Sequence, residues 1–264
     1  MYQFAYHRPS SVDEACRILA DDEDARIVAG GQSLLPMMKQ RLVQPSALVD
    51  IRRVEGLRRI EQRDGRLHVG AMARHYDVCA STEVAGFAAV LNDLAGGIGD
   101  VQVRHRGTIG GSVSNNDPAA DYPAACLALD AVVVTSRRRI DAGDFFLGMF
   151  ETALEPGEIV TGVEFARPEK AAYIKFRHPI SRYALVGIFV AVMPDGIRVS
   201  VTGASVCAFR LTGFEDALSG ALDASALDNV EIDEDMLSGD MHASATYRAH
   251  MIRHITKQAI ARIA

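Results

Sequence analysis

The sequence of 264 residues contains no tryptophan, and aromatic residues make up only 6% of it. Platforms that bind single-stranded nucleic acid stack bases on aromatic side chains, so that role is disfavoured. Charge points the same way. There are 28 Lys+Arg against 34 Asp+Glu, a net charge of -6, whereas nucleic-acid binders are generally basic. Cysteine is sparse: Cys16, Cys79, Cys126 and Cys207 stand far apart, with no CxxC pair. That spacing argues against a structural zinc site or an iron–sulfur cluster on this chain. It fits a reducing cytoplasm. No run of 18 apolar residues exists, so no membrane-spanning helix is expected. The opening MYQFAYHRPSS has neither the basic start nor the apolar run of a secretory signal. Common site motifs are missing too: no GxGxxG, no phosphate-binding GxxxxGKS/T, no HExxH and no GxSxG. What is present is globular in kind. Hydrophobic residues at 48% and charged residues at 23% exclude intrinsic disorder.

Local patterns predict a mixed chain. Tyr2, Phe4 and Tyr6 alternate with Gln3 and Ala5, a period-two strand signal. Ser11 and Glu14 form a capping box, and Val12, Ala15, Cys16 and Leu19 share one helical face. Residues 26–29 read as a short buried strand stopped by Gly30-Gly31. Further strands are expected over 47–51, 67–71, 131–135 and 159–165, with helices over 84–94 and 122–129. Arg137, Arg138 and Arg139 fall at a hairpin turn. Composition changes near Arg167-Pro168-Glu169-Lys170. Three strand-like runs follow, over 172–176, 184–193 and 196–202, the last two joined by a tight Pro194-Asp195-Gly196 turn. A helix over 210–218 and a long helix over 243–263 complete the chain.

Two glycine loops stand out as candidate sites. Ala29-Gly30-Gly31-Gln32-Ser33-Leu34 follows a strand. Thr108-Ile109-Gly110-Gly111-Ser112 precedes Asn115, Asn116, Asp117 and Asp121. Glycine pairs permit backbone conformations closed to other residues and bring bare N–H groups within reach of an anion. Two such loops can clamp a pyrophosphate from both sides, and an acid beyond the second can accept hydrogen bonds from a ribose. A dinucleotide such as FAD needs both. From spacing alone, tight turns and ligand loops both remain open. His250 and His254 have the i, i+4 spacing of a metal clamp. No acidic partner lies near them, so a solvated helix face is the simpler reading. No metal ligand and no catalytic residue is assigned.

The run AGGQSLLPMMKQRL resembles the first FAD loop of the flavoprotein subunits of molybdenum hydroxylases. That family includes the carbon monoxide dehydrogenase medium subunit and the FAD domain of xanthine dehydrogenase. VRHRGTIGGSVSNNDPAADYPAACLALDA resembles its second FAD loop. The likeness extends over LEPGEIVTGVEF, YIKFRHPISRYALVG and YRAHMIRHITKQAI, nearly the whole chain. It implies an α+β fold of the vanillyl-alcohol-oxidase, or PCMH, type. An FAD-binding domain over 1–167, of two α/β subdomains (about 1–55 and 56–167), holds FAD between them. A C-terminal domain over 168–264 adds a three-stranded antiparallel sheet with helices.

Position by position, the resemblance implies that Ile27, Val28, Ala29, Gly30, Gly31, Gln32, Ser33 and Leu34 wrap the pyrophosphate. Thr108, Ile109, Gly110, Gly111 and Ser112 grip it from the other side. Asp121 meets the adenosine ribose, although it also suits a helix N-cap before Tyr122-Pro123. Ile98, Gly99, Val160 and Lys175 lie along the FAD, with a solvated strand lysine as the plainer reading of Lys175. Tyr183 lies against the isoalloxazine ring or simply packs in the core. Arg182 stands where many relatives carry an acid, and Gln32 where many carry histidine. Glutamine cannot form the covalent bond to flavin that a loop histidine can, so non-covalent FAD is expected.

The resemblance also implies a role. FAD on this chain would receive electrons from 2Fe-2S clusters on a small partner subunit and pass them to an external acceptor. A large partner would hold molybdopterin, in a cytoplasmic heterotrimer that is usually doubled. Arg52-Arg53, Arg58-Arg59 and Arg104-His105-Arg106 would meet acidic partner surfaces or remain solvated. The alternatives are a self-sufficient FAD-dependent oxidase of the same fold and a structural subunit without flavin.

Overall fold

The computed structural model describes residues 1–264. Its first layer is a parallel sheet of β1 (Ala5–His7), β2 (Arg26–Val28) and β3 (Ala47–Asp50), in the order β1-β3-β2. Parallel strands need crossover connections, and the helix Val12–Asp21 lies between β1 and β2, which flank β3 on either side. Ser11 Oγ accepts the Glu14 N–H at 3.2 Å, while the Glu14 carboxylate accepts the Ser10 N–H at 2.8 Å rather than that of Ser11. Ala15 is buried, and Val12, Cys16 and Leu19 join it in one apolar cluster with Ala47, Val49 and Ile51. The strand expected from Tyr2 begins at Ala5, and the Tyr6 hydroxyl donates to the Asp50 carboxylate.

The second layer is antiparallel. It comprises β4 (Ile60–Arg63), β5 (Arg66–Gly70), β6 (Val132–Thr135) and β7 (Arg139–Asp141). After the small hairpin β8 (Phe146–Gly148) and β9 (Glu151–Thr152), β10 (Val160–Phe165) enters its centre, giving the order β4-β5-β10-β6-β7. The helix Tyr122–Ala128 is buried at every position in the main core. The helix expected over 84–94 is two helices, Thr82–Ala88 and Val90–Gly96. Asn92 Nδ2 donates to the carbonyls of Val78, Cys79 and Ser81 at 2.9–3.0 Å. These bonds fasten the second helix to the end of an earlier helix, His75–Ala80. The break at Ala89 turns Val84 and Phe87 as well as Leu91 and Leu94 into the core.

The third layer is antiparallel: β11 (Lys170–Arg177), β12 (Ala184–Met193), β13 (Gly196–Thr202) and a two-residue β14 (Phe209–Arg210). The β12 run ALVGIFVAVM is apolar at nearly every position because both faces are covered. Val186, Ile188 and Val190 pack with Ile252, Ile255 and Ile260 of the helix Ala245–Ile263. Phe189, Ala191 and Met193 face the other way and belong to the core of the second layer. The terminal helix starts two residues later than expected because Ser244 Oγ caps it, accepting the Tyr247 N–H at 3.1 Å.

Candidate functional site

A cleft of about 760 Å³ opens where the first and second layers meet. One wall is the loop after β2. Gly31 there has φ +75°, a left-handed conformation that suits glycine. The backbone N–H groups of Ala29, Gly30, Gly31, Gln32 and Ser33 make no hydrogen bond within the protein. Five consecutive free donors of this kind are what a backbone anion cradle requires. The opposite wall is the second glycine loop, which is built differently. Ile109 and Gly110 donate to the Ala73 and Ala71 carbonyls at 3.0 and 2.9 Å. Thr108 Oγ1 caps the helix Ile109–Asn115 by accepting the Gly111 N–H at 3.2 Å. The expectation of bare N–H groups on both loops therefore holds for the first only. The second contributes shape. A Cβ on Gly30 would lie 2.3 Å from the Arg106 carbonyl oxygen, and one on Gly110 would lie 2.5 Å from the Ala71 Cβ. Both glycines are required by close approach.

Asp121 sits at the start of the helix Tyr122–Ala128 but does not cap it. Its carboxylate instead accepts from the Tyr173 hydroxyl at 2.5 Å and pairs with Lys175 Nζ at 2.8 Å. Both partners come from β11. Burial pushes the Asp121 carboxyl up, against the opposing pull of Lys175 and Tyr173. Burial also raises the Tyr173 phenol, so it stays a donor.

The cleft lining gathers most of the predicted residues. Ile27 to Leu34 all line it, as do Ile98, Thr108, Gly110, Gly111, Ser112, Asp121, Val160 and Tyr183. Three do not. Ile109 is fully buried in the core. Gly99 packs against the Val103 side chain and accepts from Arg104 through its carbonyl. Lys175 lies behind Asp121 with its side chain 3% exposed, so it is not a solvated strand lysine. Tyr183 is 55% exposed in the β11–β12 loop, which excludes plain core packing. Of the basic groups, Arg52 is committed to Asp50, and Arg104 to the Ile98 and Gly99 carbonyls.

Sequence reasoning missed Arg26, His75 and Glu158 in the lining, and named Asp117 only as following the second glycine loop. His75 is buried, and burial with the nearby Arg104 charge lowers its pKa to about 4, so it is neutral at physiological pH. Nothing in the spacing marked it. Arg26 is the one Lys or Arg side chain in the lining, beside Asp24, Asp117, Asp121 and Glu158. An anion placed in this cleft would meet free backbone N–H groups and a single side-chain cation.

A cleft between two α/β layers, with free N–H groups in one wall and a buried carboxylate in its lining, has the features of a dinucleotide-binding protein. The comparisons give the particular family. Residues 2–168 match the FAD binding domain in molybdopterin dehydrogenase. The chain is 34% identical over 269 residues to the nicotine 6-hydroxylase medium subunit of Paenarthrobacter nicotinovorans, covering 97% of this chain and 95% of that one. It is 35% identical to the carbon monoxide dehydrogenase medium chain of Hydrogenophaga pseudoflava, covering 98% and 96%. The reconstituted CO dehydrogenase structure from Oligotropha carboxidovorans superposes with a TM-score of 0.94 at 31% identity, covering 99% of this chain and 98% of that one. The chain belongs to the family of FAD-binding domains of molybdopterin dehydrogenases and is an FAD-binding component of an oxidoreductase. The donor set fits that cofactor: free N–H groups for its pyrophosphate, a buried carboxylate for a ribose, and apolar Val160 and Ile98 for ring surfaces.

Proposed function

We propose that this chain is the electron-transfer subunit of a molybdenum hydroxylase. It takes electrons from 2Fe-2S clusters on a small subunit and passes them to an external acceptor. A large molybdopterin subunit completes the heterotrimer, which pairs into a dimer of heterotrimers. FAD, when bound, supplies the chemistry of accepting electrons singly and releasing one or two. The chain's own residues bind and orient it. The Ala29–Ser33 N–H groups receive the pyrophosphate, Asp121 accepts from the ribose, and Tyr183 covers the cleft mouth. Lys175 and Tyr173 hold Asp121 in place. Gln32 supports non-covalent FAD, because its amide is not a nucleophile. The four cysteines are unpaired, which supports a reducing cytoplasmic setting, and no helix is long and apolar enough to cross a membrane.

The observation that carries this reading is the row of five free N–H groups in the lining of a cleft whose buried carboxylates, Asp121 and Glu158, are committed to Lys175 and Arg138. The test uses the FAD-loaded chain without its partners. It should not oxidise aldehydes or N-heteroaromatic compounds, and acid precipitation should leave its flavin in the supernatant. Turnover by the isolated chain would favour the self-sufficient oxidase, and flavin in the pellet would refute non-covalent binding.

A further inference from the structure

The β11–β12 loop, residues 178–183, carries Tyr183 to the mouth of the cleft. Two side chains hold its turn: Ser181 Oγ accepts the Tyr183 N–H at 3.4 Å, and His178 makes the remaining side-chain contacts. His178 Nδ1 accepts the backbone N–H groups of Ile180 and Ser181 at 3.3 and 3.2 Å. The backbone closes the same turn. His178 N–H donates to the Tyr183 carbonyl at 2.8 Å, and Arg182 N–H donates to the His178 carbonyl at 2.9 Å. Arg182 has φ +62°, a conformation that a residue with a side chain adopts only when its surroundings impose it. The imidazole is backed by the His242 ring, with centroids 4.5 Å apart and planes at 72°. His242 is itself anchored. The Asp240 carboxylate accepts its N–H at 2.8 Å and pairs with the buried Arg248 at 2.7 Å. Arg248 donates to the Leu185 and Gly203 carbonyls at 2.6 Å. A rigid support thus runs from the sheet to His178, and His178 fixes the loop.

We propose that His178 is a positioning residue whose neutral imidazole sets Tyr183 at the cleft mouth, and that taking up a second proton releases the loop. The chemistry is that of the lone pair. A ring nitrogen that accepts two N–H groups carries no proton, and imidazolium has no acceptor at all. Protonation turns Nδ1 into a donor facing two donors. The charged and titratable groups around the ring are Arg177, Arg182 and Tyr183 on its own loop and strand. From the C-terminal segment they are His242, with Asp240 and Arg248 behind it. This inference rests on the reading that the cleft holds FAD, since that gives Tyr183 something to cover.

Two variants separate the acceptor from the ring. His178→Asn keeps an acceptor oxygen at nearly the place of Nδ1 and cannot titrate. His178→Phe keeps the ring against His242 and has no acceptor. The first readout needs no flavin: trypsin cleavage of the full chain after Arg182 at pH 8. His178→Phe should be cut several-fold faster than wild type, and His178→Asn at the wild-type rate. The second readout is emission of the bound flavin, which a covering tyrosine quenches. Emission should rise in wild type as pH falls from 8 to 5, toward the level set by Tyr183→Leu, and stay flat in His178→Asn. Equal tryptic rates for His178→Phe and wild type would overturn the proposal. So would an acid rise that persists in His178→Asn. A chain that binds no flavin would defeat the FAD reading while the tryptic comparison still decided the role of His178.

Discussion

Asp121 and Lys175 join the helix that follows the second glycine loop to the third layer, and removing both should cost well short of the sum of removing each alone. Asp121 is 5% exposed and the Lys175 side chain 3%, with 2.8 Å between their charged atoms. Breaking such a pair leaves a buried charge without its partner, a loss of about 3–5 kcal/mol. Lys175→Met keeps most of the side-chain volume and removes the charge. It leaves Asp121 only the Tyr173 hydroxyl among its present partners. Asp121→Asn strands the lysine in the same way. The double variant buries no unpaired charge, so its loss should fall well short of the sum, with a coupling of at least about 2 kcal/mol. The assay is urea unfolding followed by far-UV circular dichroism, since the chain has no tryptophan to report its own unfolding. Two losses that add to within about 0.5 kcal/mol would show the pair to be uncoupled. The reasoning about Asp121 would then fail.

Gly30→Ala should lower FAD affinity by at least about tenfold, because its Cβ would meet the Arg106 carbonyl at 2.3 Å and drive the two loops apart, an overpacking cost of roughly 1–3 kcal/mol. Gly86→Ala, with nothing within 4 Å of the new Cβ, is the neutral control in the same fluorescence titration. Because an anion in the cleft would meet free backbone N–H groups and a single side-chain cation, the FAD Kd should change by less than about twofold between 50 and 500 mM salt; a steep salt dependence would mean that side-chain cations dominate. Burial alone would raise the Glu164 carboxyl, but hydrogen bonds from Arg139 and Arg63 outweigh it and hold the pKa at about 2 against an ordinary 4.5. A depressed carboxylate stabilises the fold above the higher value and loses that contribution as pH falls toward the lower one. Tm should therefore drop between about pH 4.5 and 2, and less steeply in Glu164→Gln.

Much of this architecture was legible because local rules and tertiary demands agree. The β12 and β13 limits follow from an apolar run closed by Pro194-Asp195-Gly196, and the first glycine loop announced its free N–H groups. The second loop was harder. Its N–H groups are consumed by carbonyls of Ala71 and Ala73, some 36–39 residues away, which no local pattern encodes. The same distance hid the use of Asp121: its partners Tyr173 and Lys175 lie more than 50 residues on, so the local N-cap was an equal reading. The helix break at Ala89 carries neither glycine nor proline and depends on Asn92 reaching back to the carbonyls of Val78, Cys79 and Ser81. His178 acts through Nδ1 on N–H groups two and three residues ahead; Pro179 and Ser181 mark the turn, but not the use of the imidazole.

The most direct test of the account is the visible absorption spectrum of the purified chain after incubation with FAD and gel filtration. Flavin bands that correspond to one FAD per chain and bleach with dithionite are predicted. A colourless chain that retains no flavin would mean that the N–H cradle of Ala29–Ser33 and the Gly30 contact form only a turn, and the central claim would be wrong.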